Sequence, residues 1–409
     1  MEKAPIKILV FIEGSYPTPE TLRIPSYIEI NKTLALFGHH VVILMGGFTT
    51  AENQKYSANS IEGALKMDFG PGTFGIVQFP SFSKYSISPK LFCLSPEAIK
   101  SFDLIIIHSL YSFPVFVGAT LALLYHKPYI IIPHGALEPI LRIKSRTIKN
   151  IYHFIFADWM LSKADTIIFN HEYDRKESIF NALKAHSVII PLGFDNTKYI
   201  EQQKKGEFRR KYLSGYQGPF VLFLGRLNFK KGLDLLIDAF EKVITKNPDC
   251  LLVMVGNADP ASYQDQIKKW ILINKLDDKV ILTGPLYNED KINAYSDADI
   301  FVMPSLSENF GYTLFEAMAS RIPVIVSESV SYSQEVSNSK AGIVIRRNSE
   351  DLALAILQLI GNQEMRTIMG ENGYRLAQSY SWNTFGNRFD RLMRAIMSHD
   401  PLPGELNPK

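Results

Sequence analysis

Four ionisable residues in the second half of the chain have the types and spacing to hold a phosphorylated, polyhydroxylated molecule. Glu308 and Glu316 sit eight positions apart in the run Asp299-Ile300-Phe301-Val302-Met303-Pro304-Ser305-Leu306-Ser307-Glu308-Asn309-Phe310-Gly311-Tyr312-Thr313-Leu314-Phe315-Glu316. The run opens as a short apolar segment bounded by Pro304, as a buried parallel strand would be. A polar loop with Gly311 follows, and from Tyr312 the apolar residues take helical spacing. A helix start leaves backbone N–H groups unpaired and aimed outward, which suits an anion. A carboxylate suits a diol, because its two oxygens accept from two neighbouring hydroxyls. Arg226 and Lys231 lie in Gly225-Arg226-Leu227-Asn228-Phe229-Lys230-Lys231-Gly232, between an apolar strand at 220–224 and a helix from 233. Two cations on a strand-to-helix turn match two phosphate charges, and ligands of doubly wound folds gather at such turns. Amides and cations for a diphosphate, with carboxylates for hydroxyls, make a site for a sugar nucleotide. By themselves the two glutamates read first as solvated helix-surface charges, and the cations equally well as an ordinary solvated turn, so the rest of the chain must decide.

The elements needed to position these groups are legible. Residues 6–12, 41–45, 103–107, 129–132, 166–169 and 188–190 read as strands, and 113–125, 147–163 and 172–183 as helices. Residues 46–75, rich in Gly, Ser, Thr and Asn, read as a long surface excursion. The polar run 201–206 reads as a linker. The pattern then restarts, with strands at 220–224, 251–255, 280–282, 300–303, 324–326 and 343–345. Helical segments at 350–380 and 382–397 end the chain. Alternating strands and helices imply an α/β protein of two doubly wound domains, 1–205 and 206–381, with the final helix 382–400 joined to the first.

With these motifs in hand, the chain resembles glycosyltransferase family 4, retaining enzymes of the GT-B fold. The resemblance rests on Gly225-Arg226 … Lys231-Gly232, on the Glu308-x7-Glu316 motif, on Pro133-His134-Gly135, and on Pro191-Leu192-Gly193-Phe194-Asp195. It implies two Rossmann-like domains facing across a cleft. It implies that Arg226 and Lys231 neutralise the donor diphosphate, and that Glu316 accepts from the ribose hydroxyls. Glu308 would contact the transferred sugar, ringed by backbone N–H groups of Asn309, Phe310, Gly311 and Tyr312. His134 would reach the sugar from the other domain, and Gly14 would let the first loop approach the reacting centre. The reaction implied is transfer of a hexose-type sugar from a nucleotide diphosphate to a glycan or lipid-linked saccharide, with retention. Neither metal nor cofactor is implied beyond the donor substrate. Pro133-His134-Gly135-Ala136-Leu137-Glu138-Pro139 resembles members that build bacterial envelope or extracellular polysaccharide. A sugar-nucleotide epimerase, a phosphorylase and a non-catalytic partner subunit are the alternatives. The sequence departs from the family pattern in having one glycine in Glu13-Gly14-Ser15, Asn309 after the first motif glutamate, and Leu192 for a usual asparagine.

Composition narrows the remaining classes. The 409 residues are 46% apolar and 21% charged, which describes a globular chain, and a net charge of +3 gives no case for a nucleic-acid partner. Cys93 and Cys250 are far apart and in no metal-ligand spacing, so a reducing, cytoplasmic setting is expected. Asp297-Ala298-Asp299 resembles a metal-holding Asp-x-Asp, but it closes a helix and opens a strand, which argues for a structural role. His171-Glu172 lacks a second histidine, since position 175 is arginine, and His39-His40 follows a helix-ending glycine. Arg142, Lys144, Arg146 and Lys149 precede Tyr152, Phe154, Phe156 and Trp159. Such a run could seat peripherally on the inner face of a membrane; an aromatic face in the core with a solvated start is the plainer reading, and we take it first.

Overall fold

The computed structural model describes residues 4–13, 25–46, 57–58, 61, 63, 74–81, 86–139, 150–178, 186–201 and 204–406. The chain divides into two compact units, Met1–Gly193 with Trp382–Lys409, and Phe194–Ser381.

The first unit is built on strands β1 (Lys7–Ile12), β2 (His40–Gly46), β3 (Ser57–Ala58), β4 (Gly75–Phe79), β5 (Leu104–His108), β6 (Tyr129–Ile132), β7 (Thr166–Phe169) and β8 (Ser187–Ile189). They form one parallel sheet in the order β3-β4-β2-β1-β5-β6-β7-β8. Near-continuous apolar sequences such as Leu-Ile-Ile-Ile and Tyr-Ile-Ile-Ile suit strands covered on both faces, and β5 and β6 are buried throughout. Two of these strands were not anticipated. β4 directly follows the polar excursion, and its Gly-Ile-Val-Gln-Phe sequence interrupts the apolar run with a glutamine. The helix Trp382–Ser398 packs on Pro25–Leu36, with His39 Nε2 3.1 Å from the Asp390 carboxylate. His39 Nδ1 accepts from the Ile6 amide, so the histidine is a structural tie.

The second unit carries β9 (Phe220–Leu224), β10 (Leu251–Val255), β11 (Val280–Gly284), β12 (Ile300–Met303), β13 (Val324–Ser327) and β14 (Gly342–Ile345). Its parallel sheet runs β11-β10-β9-β12-β13-β14, with β9 and β12 side by side at the centre. The carboxyl end of β9 feeds the cationic turn and that of β12 the Glu308 loop, so pairing the strands makes the loops neighbours.

The unit begins at Phe194, ahead of the 201–206 run where a linker was expected. The physical reason is aromatic. Phe194 packs on Tyr199 and Phe315, Tyr199 packs on Tyr295, and the Phe194 amide donates to the Tyr380 carbonyl at 2.9 Å. Asp297 then accepts from the Gly206 and Arg209 amides, at 2.5 and 3.0 Å, fixing the polar run to the same unit.

Candidate functional site

In the second unit, the turn after β9 rests on the loop after β12. The Leu306 amide donates to the Lys230 carbonyl at 2.7 Å. Gly232 is left-handed, at φ +65°, and a Cβ there would overlap the Pro304 carbonyl oxygen. Only glycine allows so close an approach. Asn228 caps the short turn Phe229–Lys231, its side chain accepting from the Lys230 amide at 3.1 Å. These contacts bring the Lys231 ammonium onto the Glu308 carboxylate as an ion pair, with side chains 15% and 18% exposed. The Glu308 backbone is fixed from β13's side, its carbonyl accepting from the Ser331 amide at 3.0 Å and the Ser331 hydroxyl at 2.8 Å.

Gly311 ends the loop, and the helix Tyr312–Ala319 begins behind it. Glu316, in the second turn of that helix, is buried. Lys291 Nζ donates to one of its oxygens at 2.6 Å and the Tyr295 hydroxyl to the other at 2.8 Å. Each oxygen can accept a further hydrogen bond, so the carboxylate retains capacity for a diol. Burial, and then the negative charge of Glu316, hold the Tyr295 hydroxyl well above its ordinary pKa, so it stays a donor. Lys291 and Tyr295, both on the helix Asn288–Asp297, were not found from sequence. Their i, i+4 spacing marks a shared helical face, but nothing local ties that face to Glu316.

Phe310 was expected to serve through its backbone and Arg226 through its charge. The Phe310 ring is buried, stacked on Phe315 at 4.3 Å and packed on Tyr332 at 5.4 Å. Its backbone alone is left for a ligand, while Asn309 and Tyr312 are half-buried. Arg226 is exposed and turns to the loop after β10, donating to Asp259 at 3.2 Å. It does not join the Lys231–Glu308 pair.

In the first unit, His134 follows β6 and adopts φ +49°. Its Nε2 lies 2.8 Å from Nδ1 of His108, the last residue of β5. The two rings are near-parallel at 5.1 Å, and Tyr27 packs its edge on His134 at 4.6 Å. Burial pushes both imidazoles down, His108 to about 3, so both are neutral at pH 7 and one proton bridges them. Glu13, just after β1, accepts from the hydroxyls of Tyr27 and Ser109 at 3.5 Å each. Gly14 lies outside the described residues. His108 was missed, although a histidine closing an apolar parallel strand stands where such sheets bind ligands.

Other polar clusters are taken up by the fold. Arg209 donates to Asp299 at 2.9 Å, and the Phe220 amide donates to the same carboxylate at 3.0 Å. His171 caps its helix by accepting from the Tyr173 amide. Among the described residues no three His, Cys, Asp or Glu side chains are grouped to hold a metal ion. A cavity of about 530 Å³ lies at the amino ends of β12 and β13, beside Asp299, Arg321 and Arg366. Its arginines are engaged internally, Arg366 with the Leu359 and Ile360 carbonyls and Arg321 with Glu371.

Comparison with known proteins identifies the family. The family described as "Glycosyltransferase Family 4" matches residues 27–198, and that described as "Glycosyl transferases group 1" matches residues 204–376. The chain is 28% identical to mannosylfructose-phosphate synthase of Agrobacterium fabrum, over 49% of this chain and 45% of that protein. It is 26% identical to D-inositol 3-phosphate glycosyltransferase of Corynebacterium aurimucosum, over 72% of this chain and 73% of that protein. Among solved structures it is similar to Anabaena HepE in complex with UDP-glucose, with a TM-score of 0.71, 19% identity, and coverage of 95% of this chain and 100% of that one. A family match on each unit and two parallel sheets together assign the chain to the GT4-type glycosyltransferases of the GT-B fold.

Proposed function

We propose that the protein transfers a hexose-type sugar, with retention and without a metal ion, from a nucleotide diphosphate to a glycan or lipid-linked saccharide. The observation that carries this reading is the Lys231–Glu308 pair, seated where two loops meet and one turn before a helix start. Without a donor, each charge satisfies the other. With a donor, the diphosphate takes the ammonium and the sugar hydroxyls donate to Glu308, so the exchange leaves neither group unpaired. The bond between the anomeric carbon and the phosphate oxygen breaks, and that oxygen takes the acceptor's proton. The acceptor oxygen bonds to the same face of the sugar. Lys231 and the loop amides stabilise the diphosphate charge as it develops. Glu316, oriented by Lys291 and Tyr295, accepts from the ribose. Arg226, now on Asp259, would swing to the diphosphate. The His134–His108 pair and Glu13 are the first unit's groups for sugar and acceptor hydroxyls.

UDP-hexoses are the first donors to test, because the similar Anabaena structure holds UDP-glucose. A panel of nucleotide sugars is screened by thermal shift and hydrolysis, and the product's anomeric configuration is read by NMR. Glu316→Gln keeps an acceptor oxygen but loses the charge, and should weaken nucleotide affinity by roughly 1.5–3 kcal/mol in calorimetry. Unchanged affinity would remove Glu316 from the site. Inversion would overturn the mechanism, sugar 1-phosphate from glycan and phosphate would point to a phosphorylase, and activity lost to a chelator and restored by manganese would require a metal.

A further inference from the structure

The segment from residue 150 to the end of the helix Asp158–Lys163 is continuously helical, with a π-turn over His153–Ala157. One side is thoroughly engaged. The Tyr152 hydroxyl donates to the Leu110 carbonyl at 2.8 Å, and His153 lies between Tyr111, 2.9 Å away, and Asp158, 3.0 Å away. Phe156 packs edge-on to Phe116 at 4.9 Å, and Ala157, Met160 and Leu161 are buried. The expectation of an aromatic face in the core therefore holds for Tyr152 and Phe156 only. On the other side Ile151 is 54% exposed, Phe154 87%, Ile155 52% and Trp159 39%. Residues 151, 155 and 159 recur every fourth position and 154 adjoins them, so the four form one stripe. Single exposed apolar residues need no explanation, but four large ones on one helical face mark an interaction surface.

Charge selects the occupant. Between Glu138 and Asp158 the sequence carries Arg142, Lys144, Arg146 and Lys149 and no carboxylate. Asp158, the one acidic residue from 150 to 163, is held by His153. A second copy of the chain would carry the same basic run next to the stripe in sequence, with no carboxylates to meet it, whereas an anionic lipid surface attracts such a run. A basic run that directly precedes, in sequence, an apolar stripe holding Phe and Trp matches the composition of a helix lying in the headgroup boundary. Among the described residues no helix is long and apolar enough to cross a membrane.

We propose that the stripe Ile151, Phe154, Ile155 and Trp159 docks the first unit onto an anionic lipid bilayer. The proposal goes beyond the transfer reaction and does not depend on it, since the stripe would dock whichever sugar is moved. The full chain is sedimented with vesicles of phosphatidylcholine alone or mixed with phosphatidylglycerol. It should partition onto the mixed vesicles only, and less so as salt rises. Phe154→Ser with Ile155→Ser should lower that partition by roughly tenfold or more with the melting temperature unchanged. On the unsubstituted chain, brominated lipid should quench part of the tryptophan emission, and Trp159→Phe should abolish that part. Failure to bind mixed vesicles, or binding indifferent to the double substitution, would overturn the proposal. So would a concentration-dependent dimer that the double substitution dissociates, since the stripe would then be a subunit interface.

Discussion

In the proposed mechanism Lys231 changes partner when the donor arrives, and its substitutions separate two contributions. Lys231→Met strands the Glu308 carboxylate in a largely buried place, which should cost roughly 1–3 kcal/mol of stability. Adding Glu308→Gln should restore most of that loss in chemical denaturation, because the stranded charge is gone. Turnover should stay abolished in the double variant, since Arg226 and the loop amides alone then face the diphosphate and Glu308 no longer meets the sugar as a carboxylate. Recovery of activity along with stability would reduce the pair to a structural contact. His108 gives a test of the opposite kind, through pH. Its folded-state pKa is depressed to about 3 by burial, so the folded protein resists a proton that the unfolded chain accepts near pH 6.5. Stability is therefore fully present above that unfolded value and falls as pH drops below it, by on the order of 2 kcal/mol at pH 5. His108→Phe should flatten the slope between pH 7 and 5 in thermal denaturation; an unchanged slope would place the effect elsewhere.

Among the elements, Gly232 decides whether the two loops can touch. Gly232→Ala would drive a Cβ into the Pro304 carbonyl, pushing the loops apart and Lys231 away from Glu308. Gly215 supplies the control. It is also left-handed, at φ +77°, but a Cβ there meets nothing within 4 Å. Gly215→Ala should therefore cost only the backbone strain of about 1 kcal/mol, with kcat/KM unchanged, while Gly232→Ala should lower both stability and turnover. Equal effects at the two positions would show that the close approach is immaterial. The contrast also explains what the sequence could convey. Strand-to-helix turns carrying Lys231 and Glu308 were legible because parallel strands covered on both faces read as short apolar runs, and β9 and β12 are such runs. That the two turns would touch followed from the sheet order, which no local pattern encodes. Arg226 was placed in the right turn, but spacing cannot give a side chain's direction, and Asp259 captures it. Lys291 and Tyr295 were invisible for the same reason, since their link to Glu316 is purely tertiary. The unit boundary was set by the packing of Phe194 on Tyr199 and Phe315, not by the polar run that resembles a linker.

For the molecule as a whole, each unit has its own apolar core, centred on Phe11, Ile105 and Ile131 in the first and on Val221, Phe240 and Val302 in the second. The chain passes between the units only at 193–194 and 381–382. Units of this size with separate cores can unfold separately, so calorimetry should resolve two transitions. Their identities can then be assigned by perturbations that act on different groups. Lys231, Glu308, Glu316, Lys291 and Tyr295 all belong to the second unit, so UDP should raise only that transition. At one hundred times its dissociation constant the gain should be about 2.7 kcal/mol. His108 and His134 both belong to the first unit, so lowering the pH from 7 to 5 should depress the other transition more steeply. A nucleotide that shifts the acid-sensitive transition, or a single transition moved by both, would mean that the units do not unfold independently. The assignment of donor binding to one unit would then have to be tested by the Lys231 and Glu316 variants alone.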